Sequence, residues 1–298
     1  MAKDKKIVVG ALNITMQPHS QARYVELIRA ASRLKKPAKI YGDQYGLLVG
    51  ARKLDTSSEV SPLSGDIYKF ATIDFDSEWF NTSTNQFASL DELEDVKLPE
   101  YLKPNSSRFS YIFYPKNHIL IYEGYYDGNA LSPLNAVRFF ENMFNAKSIK
   151  RRFGKIDVTH EPESDALDKA LQMEHKDKIS MIIKRPNPDD LAGAEREVLK
   201  RLRAINAERQ EISYKAASSD GLELDKEVET LARVAARNGD VYVKGKDAEN
   251  RPQEFSTKKH PLLETEYYDP ESEISFSVFA AIADRVKNEI VRRLLPKK

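Results

Sequence analysis

A pair of apolar runs in the first half of the chain places the strongest constraint on the fold. Residues 108–115 and 118–123 alternate aromatic and aliphatic side chains, and only Lys116 and Asn117 separate the two runs. Two strand patterns joined by so short a polar connection predict a β-hairpin. Because hairpin strands pair antiparallel, we expect the fold to contain an antiparallel or mixed sheet.

Helix and strand patterns surround this hairpin. Residues 7–14 have a strand pattern, and residues 23–34 place apolar side chains at the spacing of an amphipathic helix. Ser132 and Pro133 suit the cap and the first position of a second helix. The second half alternates strand and helix patterns and ends in a helix predicted for residues 274–295. These patterns predict an α+β fold in which helices pack on mixed or antiparallel sheets.

The change of pattern along the chain predicts two subdomains. A chain of 298 residues is long enough for two modest cores. We place the boundary near Arg152, which gives an N-terminal α+β domain of residues 1–152 and a C-terminal α+β domain of residues 153–298. No clean linker separates these halves, so the final helix is free to pack on the first domain.

Composition excludes several classes of site. The chain has no cysteine, which rules out disulfides, thiolate metal sites and cysteine nucleophiles. No apolar run approaches the ~20 residues of a membrane span. Residues 7–12 predict a first strand and not a signal peptide, because no small-residue cleavage site follows them. A cytoplasmic protein is the simplest interpretation.

The glycines do not form a cofactor-binding loop. Gly42, Gly46 and Gly50 are evenly spaced, but neither a Gly-Lys-Ser/Thr sequence nor a dinucleotide fingerprint accompanies them. The chain also lacks a Gly-x-Ser-x-Gly nucleophile elbow. The sequence therefore predicts no cofactor.

One group of carboxylates leaves a catalytic alternative open. Asp74, Asp76 and Glu78 alternate along the chain, so they would line one strand face and hold a magnesium ion if the strand continued. Trp79 and Phe80 follow directly. We favour a strand end whose acids stay in water while buried aromatics anchor the next loop. A metal-dependent nuclease remains the alternative.

A basic run near the middle of the chain is the main functional signal. Residues 147–155 hold five basic residues and no acid, in a protein whose net charge is +1. They are Lys147, Lys150, Arg151, Arg152 and Lys155. Such a patch predicts a surface for a polyanion. The alternative is a solvated helix end whose cations offset the helix dipole.

Two further basic clusters lie where few acids are near in the sequence. They comprise Lys35, Lys36, Lys39, Lys258 and Lys259. If these clusters share one groove with the basic run, they form a DNA channel without sequence preference. The hairpin aromatics are candidates for base stacking if they are exposed, but alternating strand positions are more typical of a core.

The second half resembles the RexA proteins of temperate phages, the DNA-binding half of a two-component exclusion system. The resemblance covers roughly residues 147–298. It lies in a strand at 153–158, an apolar strand at 179–186 that ends in Lys-Arg-Pro, the long helix after it, and the closing helix at 274–295.

This resemblance implies an α+β homodimer that binds double-stranded DNA without sequence preference. It also implies a RexB-like partner in the inner membrane and a role in phage exclusion, or abortive infection. A DNA-binding defence protein without catalytic activity is therefore our leading hypothesis, and an RNA-binding toxin or a structural module is a further alternative to the nuclease.

The closing helix is a candidate for the dimer contact. Its apolar residues recur at helical spacing and form one stripe. The stripe consists of Ile274, Val278, Ile282, Val286, Ile290 and Leu294. The alternative is that the stripe packs on the protein's own core.

Overall fold

The structure is a computed structural model and describes residues 4–94, 96, 99–187 and 193–294. These residues form eight α-helices and antiparallel sheets, so the predicted α+β class is confirmed.

The helices and strands are defined as follows. The helices are α1 Gln21–Ala31, α2 Leu90–Glu94, α3 Pro133–Phe144, α4 Lys147–Phe153, α5 Ser164–Leu171, α6 Ala194–Ala204, α7 Lys226–Asn238 and α8 Ser275–Leu294. The strands are β1 Lys5–Met16, β2 Ala38–Tyr41, β3 Gln44–Lys53, β4 Leu63–Ala71, β5 Phe80–Asn81, β6 Gln86–Phe87, β7 Ser107–Tyr114, β8 Ile119–Tyr126, β9 Asn129–Ala130, β10 Ile156–His160, β11 His175–Lys184, β12 Arg209–Lys215, β13 Gly239–Lys246, β14 Pro252–Ser256 and β15 Leu263–Tyr268.

A nine-stranded antiparallel sheet forms the larger unit. Its strand order is β10-β1-β8-β7-β4-β3-β2, with β15 also on β1 and β9 on β8. Strand β1 is long enough to pair with β15 through its first half and with β10 through its second half. The predicted hairpin is β7 and β8, which pair directly.

The inner face of the large sheet packs against α1, α3 and α4. Ser20 caps α1 by accepting a hydrogen bond from the Arg23 amide, and Ser132 caps α3, which has proline in its first turn as predicted. The core between the sheet and these helices is rich in aromatic side chains. Burial of each such side chain contributes about 1.5–3 kcal/mol, and this burial holds the helices on the sheet.

The outer face is covered in part by α8. Phe279, Ile282 and Val286 of α8 are buried against β-strand residues that include Ile112 and Ile121. The final helix therefore packs on the first half of the chain. Its apolar stripe is occupied by the protein's own sheet, and the expectation that this stripe forms a dimer contact is wrong. The first stripe residue, Ile274, is exposed, and the side chain of the last, Leu294, lies outside the described part.

A four-stranded sheet of order β12-β11-β13-β14 forms the smaller unit. Helices α5, α6 and α7 pack on one of its faces. At the turn from α7 into β13, a Cβ on Gly239 would lie 1.8 Å from the carbonyl oxygen of Ile182. Only glycine allows the two strands to approach so closely at this point.

The two sheets do not divide the chain at residue 152. Strands β10 and β15 and helix α8 come from residues 153–298, yet they join the large sheet. The smaller unit is the segment from α5 to β14. The cause is the length of β1. One side of this strand is long enough to pair with two partner strands, β15 and β10.

Buried polar contacts join the two units. The Arg237 guanidinium at the end of α7 pairs with the Glu161 carboxylate at 2.9 Å, with both side chains almost fully buried. The Asn13 amide of β1 and the Thr159 hydroxyl of β10 both donate to the Arg237 carbonyl. These bonds satisfy groups that would be costly to bury alone, so they fix the docking of α7 on the large sheet. None of the helices in the described ranges is both long and apolar enough to cross a membrane.

Candidate nucleic-acid interface

The basic run forms the short helix α4. Ile149 and Phe153, four residues apart, are buried in the large core, and this anchors the helix. Lys147, Lys150 and Arg151 point away from that core and are exposed. The sequence predicted a helix end at this point, and the structure shows a separate helix whose outer surface is basic.

Two residues of the predicted run are paired with acids. The Arg152 guanidinium lies 2.7 Å from the Glu26 carboxylate of α1, and Lys155 bonds to Glu208 and lies 3.8 Å from Asp157. Exposed ion pairs of this kind contribute about 0–1 kcal/mol each.

The first of the other basic clusters lies in and after the loop that follows α1. Lys35 and Lys36 are exposed in this loop, and Lys39 is exposed on β2. The Lys39 ammonium lies 6.0 Å from the ring centre of Tyr45, on the neighbouring strand. This cluster therefore borders the β2 edge of the large sheet.

Contacts of α3 bring this cluster next to α4. The Asn142 side-chain amide donates to the Lys39 carbonyl at 2.8 Å, and the Asn145 side-chain amide donates to the Ile156 carbonyl at 2.8 Å. The last turn of α3 thus touches β2 and β10, which lie at opposite ends of the strand order. α4 begins two residues after Asn145, and the backbone of Lys39 is held by Asn142 in the same last turn of α3.

We call the resulting surface the basic face. It consists of Lys35, Lys36, Lys39, Lys147, Lys150 and Arg151. In the part of the chain that the structure describes, none of the six has a carboxylate ion-pair partner. Exposed cations without counter-charges attract anions.

The remaining predicted residues lie elsewhere. Lys258 and Lys259 are in a 3-10 turn beside β13 of the small sheet, and the Lys258 ammonium lies 3.0 Å from the Asp240 carboxylate. Lys258 therefore differs from the six residues of the basic face in having a carboxylate partner.

An open groove adjoins the basic face and was not predicted from the sequence. Helix α8 leaves β3 and β4 uncovered on the outer face, and their outward side chains are mainly apolar and aromatic. A segment at residues 99–106 forms the opposite wall, and the groove has a volume of about 1110 Å³. We call it the aromatic groove. Its apolar floor consists of Tyr45, Leu47, Val49, Tyr68 and Phe70.

The rim of the aromatic groove is mainly basic. Arg33, Lys35, Lys36 and Lys103 line it, together with one acid, Glu100. Lys35 and Lys36 belong to both surfaces, so the groove and the basic face are continuous. The alternation of apolar side chains along residues 45–49 was the sequence signal for this floor.

A family model describes almost the whole of this fold. It matches residues 5–284, which include both sheets and the first half of α8, and its description is a domain of unknown function, DUF4747. The chain belongs to this family. A comparison with curated proteins found no match. The resemblance to RexA proteins stays a hypothesis.

The carboxylates of the nuclease alternative lie on a loop. Asp74, Asp76 and Glu78 are exposed after the end of β4, and the Asp74 side chain accepts a hydrogen bond from the Asp76 amide. Among the described residues, no group of three or more metal-ligating side chains comes together. Trp79 is only partly buried and stacks on Phe75 with 5.6 Å between ring centres, so the expectation of a buried anchor is wrong.

The hairpin aromatics belong to the core. Tyr111, Phe113 and Tyr122 are fully buried, and burial raises the pKa of the Tyr111 and Tyr122 hydroxyls. The Tyr111 hydroxyl donates to the Gly50 carbonyl at 2.5 Å. These rings are buried and cannot reach a base.

Proposed function

We propose that this protein binds double-stranded DNA without sequence preference through the basic face. The observation that carries the proposal is a set of six exposed cations on α4, the loop after α1 and β2, none of which has a carboxylate ion-pair partner among the described residues. Each cation that pairs with a phosphate releases condensed counterions, and this release supplies the free energy of binding.

The helix-dipole interpretation explains only part of this surface. Lys150 and Arg151 lie in the last turn of α4, where cations offset the negative end of the helix. That interpretation gives no reason for Lys35, Lys36 and Lys39, which lie in another segment. A shared polyanion accounts for both groups.

The absence of sequence preference follows from the kind of contact. Exposed lysine and arginine side chains on a loop and a seven-residue helix are suited to phosphate oxygens, which carry no sequence information. The proposal also takes from the RexA resemblance a cytoplasmic homodimer that acts in phage exclusion with a RexB-like inner-membrane partner.

The experiment is a fluorescence anisotropy titration with two unrelated 20-base-pair duplexes at several salt concentrations. We expect similar affinities for both duplexes and a steep loss of affinity with salt. The triple variant Lys147→Ala, Lys150→Ala, Arg151→Ala should reduce the log–log salt slope by up to about 3 and weaken both duplexes alike.

A matched control tests whether position matters or only net charge. Lys178, Lys215 and Lys244 form an exposed row across the open face of the small sheet. Their triple alanine variant has the same net charge as the α4 variant and should keep the wild-type slope. Equal losses in both variants, or no binding by the wild type, would refute the proposal.

Incubation of the duplex with the protein and Mg²⁺ tests the nuclease alternative. The wild type should leave the duplex intact when Mg²⁺ is present. Cleavage that needs Mg²⁺ and disappears in the Asp74→Asn, Asp76→Asn variant would overturn the non-catalytic proposal.

A further inference from the structure

We infer that the aromatic groove binds a stretch of single-stranded DNA. The inference rests on the proposed DNA binding and adds a second mode of binding on an adjoining surface. Its basis is the combination of exposed aromatic rings with a basic rim, both needed to hold unpaired nucleotides.

Two exposed rings line the groove, one on its floor and one on its opposite wall. Tyr45 pairs with Phe70 and Leu47 with Tyr68 across β3 and β4, so their side chains share one face of the sheet. Tyr68 is 37% exposed, and Tyr101 on the opposite wall is 83% exposed. An open sheet that presents aromatic side chains is a surface on which unstacked bases can lie.

The exposed tyrosines lie on the part of the outer face that α8 does not cover. On the other half of the same outer face, α8 covers the equivalent apolar side chains. The groove has no such cover in the described chain, and its volume is about 1110 Å³. An open groove of this size has room for several flat groups side by side.

The charge of the rim indicates which kind of polymer the groove binds. Four cations, Arg33, Lys35, Lys36 and Lys103, face one acid, Glu100. A chain with an anionic backbone and flat apolar side groups matches both the rim and the floor. In a duplex the base faces are stacked on one another and are not available to the tyrosines, so the matching ligand is a single strand.

The basic face and the aromatic groove then bind different parts of the DNA. The basic face contacts phosphates of the duplex, and the groove receives unpaired nucleotides at a gap, an end or a melted region. Lys35 and Lys36 contribute to both, which places the transition from duplex to single strand at the loop after α1.

The experiment compares a fluorescein-labelled 15-nucleotide oligothymidine with a 20-base-pair duplex. The groove variant is Tyr68→Leu, Tyr101→Ala, and the single variant Tyr101→Ala serves as a second version with minimal risk to the fold. The matched control is Tyr214→Leu, Tyr267→Ala, because these tyrosines are 41% and 65% exposed and lie outside the groove.

We expect the groove variant to lose at least tenfold in affinity for the oligothymidine. Its salt slope should stay unchanged, because no cation is removed, and its affinity for the duplex should stay within twofold of the wild type. The control should bind both ligands like the wild type. Circular dichroism melting curves check that each variant is folded.

The outcomes separate this inference from the proposed function. Duplex binding with an unchanged oligothymidine affinity in both groove variants overturns the groove and leaves the basic face intact. Oligothymidine binding through the groove without duplex binding supports the groove and overturns the basic face. An equal loss in the control, or a tenfold preference for oligouridine of the same length, overturns the assignment of single-stranded DNA to this groove.

Discussion

Glu123 should make the stability of this protein depend on pH in the neutral range. Its side chain is 2% exposed on the outer face of β8, at the border between the region under α8 and the open groove. Burial raises the pKa of the Glu123 carboxyl to about 7, although hydrogen bonds from Ser110 and the charge of Arg108 lower it in part. The carboxyl oxygen accepts from the Ser110 amide at 2.9 Å.

The sign of the effect follows from the two pKa values. In the unfolded chain this carboxyl has an ordinary pKa near 4.5, so the folded state holds the proton more tightly. The stability that Glu123 provides is fully present below pH 4.5 and is lost as the pH rises through 7. The gap between the two values corresponds to about 3 kcal/mol. This is a large share of a typical unfolding free energy of about 5–15 kcal/mol.

The variant Glu123→Gln removes the titration while keeping the shape and an acceptor for the Ser110 amide. Between pH 5 and pH 8, the wild type should lose about 2–3 kcal/mol more unfolding free energy than the variant. Urea unfolding followed by circular dichroism at four pH values measures the difference. The exposed Glu59 provides the control, and Glu59→Gln should run parallel to the wild type. Parallel curves for Glu123→Gln as well would refute a raised pKa at this site.

Two more predictions follow from the covered face and from the RexA resemblance. Ile282 is 2% exposed between α8 and the sheet, so Ile282→Ala should cost about 2–4 kcal/mol of unfolding free energy in urea, whereas Ile274→Ala, at a 73% exposed position, should stay within about 0.5 kcal/mol. Equal effects would contradict the packing of α8. The homodimer predicts a sedimentation mass of about twice 34.0 kDa at micromolar concentration, and a mass near 34.0 kDa would exclude it.

Local patterns predicted most helices and strands but not their arrangement. The hairpin, α1, α3 and α8 each carry their own signal in apolar spacing or in a capping residue, and the structure has all four. The partner of a strand is not a local property. Nothing in residues 156–160 or 263–268 distinguishes a strand of the small sheet from one that joins β1.

In helix α4 the apolar residues, and not the charges, determine how the segment lies on the core. The basic run holds five charges in nine residues, and its two large apolar residues, Ile149 and Phe153, are four residues apart. The buried pair sets the orientation of the helix. That orientation decides which of the cations face water and which, like Arg152, reach an acid on α1.

The density of charge along the sequence identifies segments that are able to contact phosphate. The topology of the fold determines which of these segments share one surface. Lys39 and Lys258 have similar surroundings in sequence, yet the backbone of Lys39 is bound by α3, while the Lys258 ammonium pairs with Asp240 beside the small sheet. The difference comes from two asparagines at the end of α3. Asn145 accepts from the Ile156 amide and donates to its carbonyl, as a neighbouring strand would, while Asn142 binds the backbone of β2. One helical turn therefore connects two sheet edges that the strand order keeps apart, and the basic face exists because of this connection.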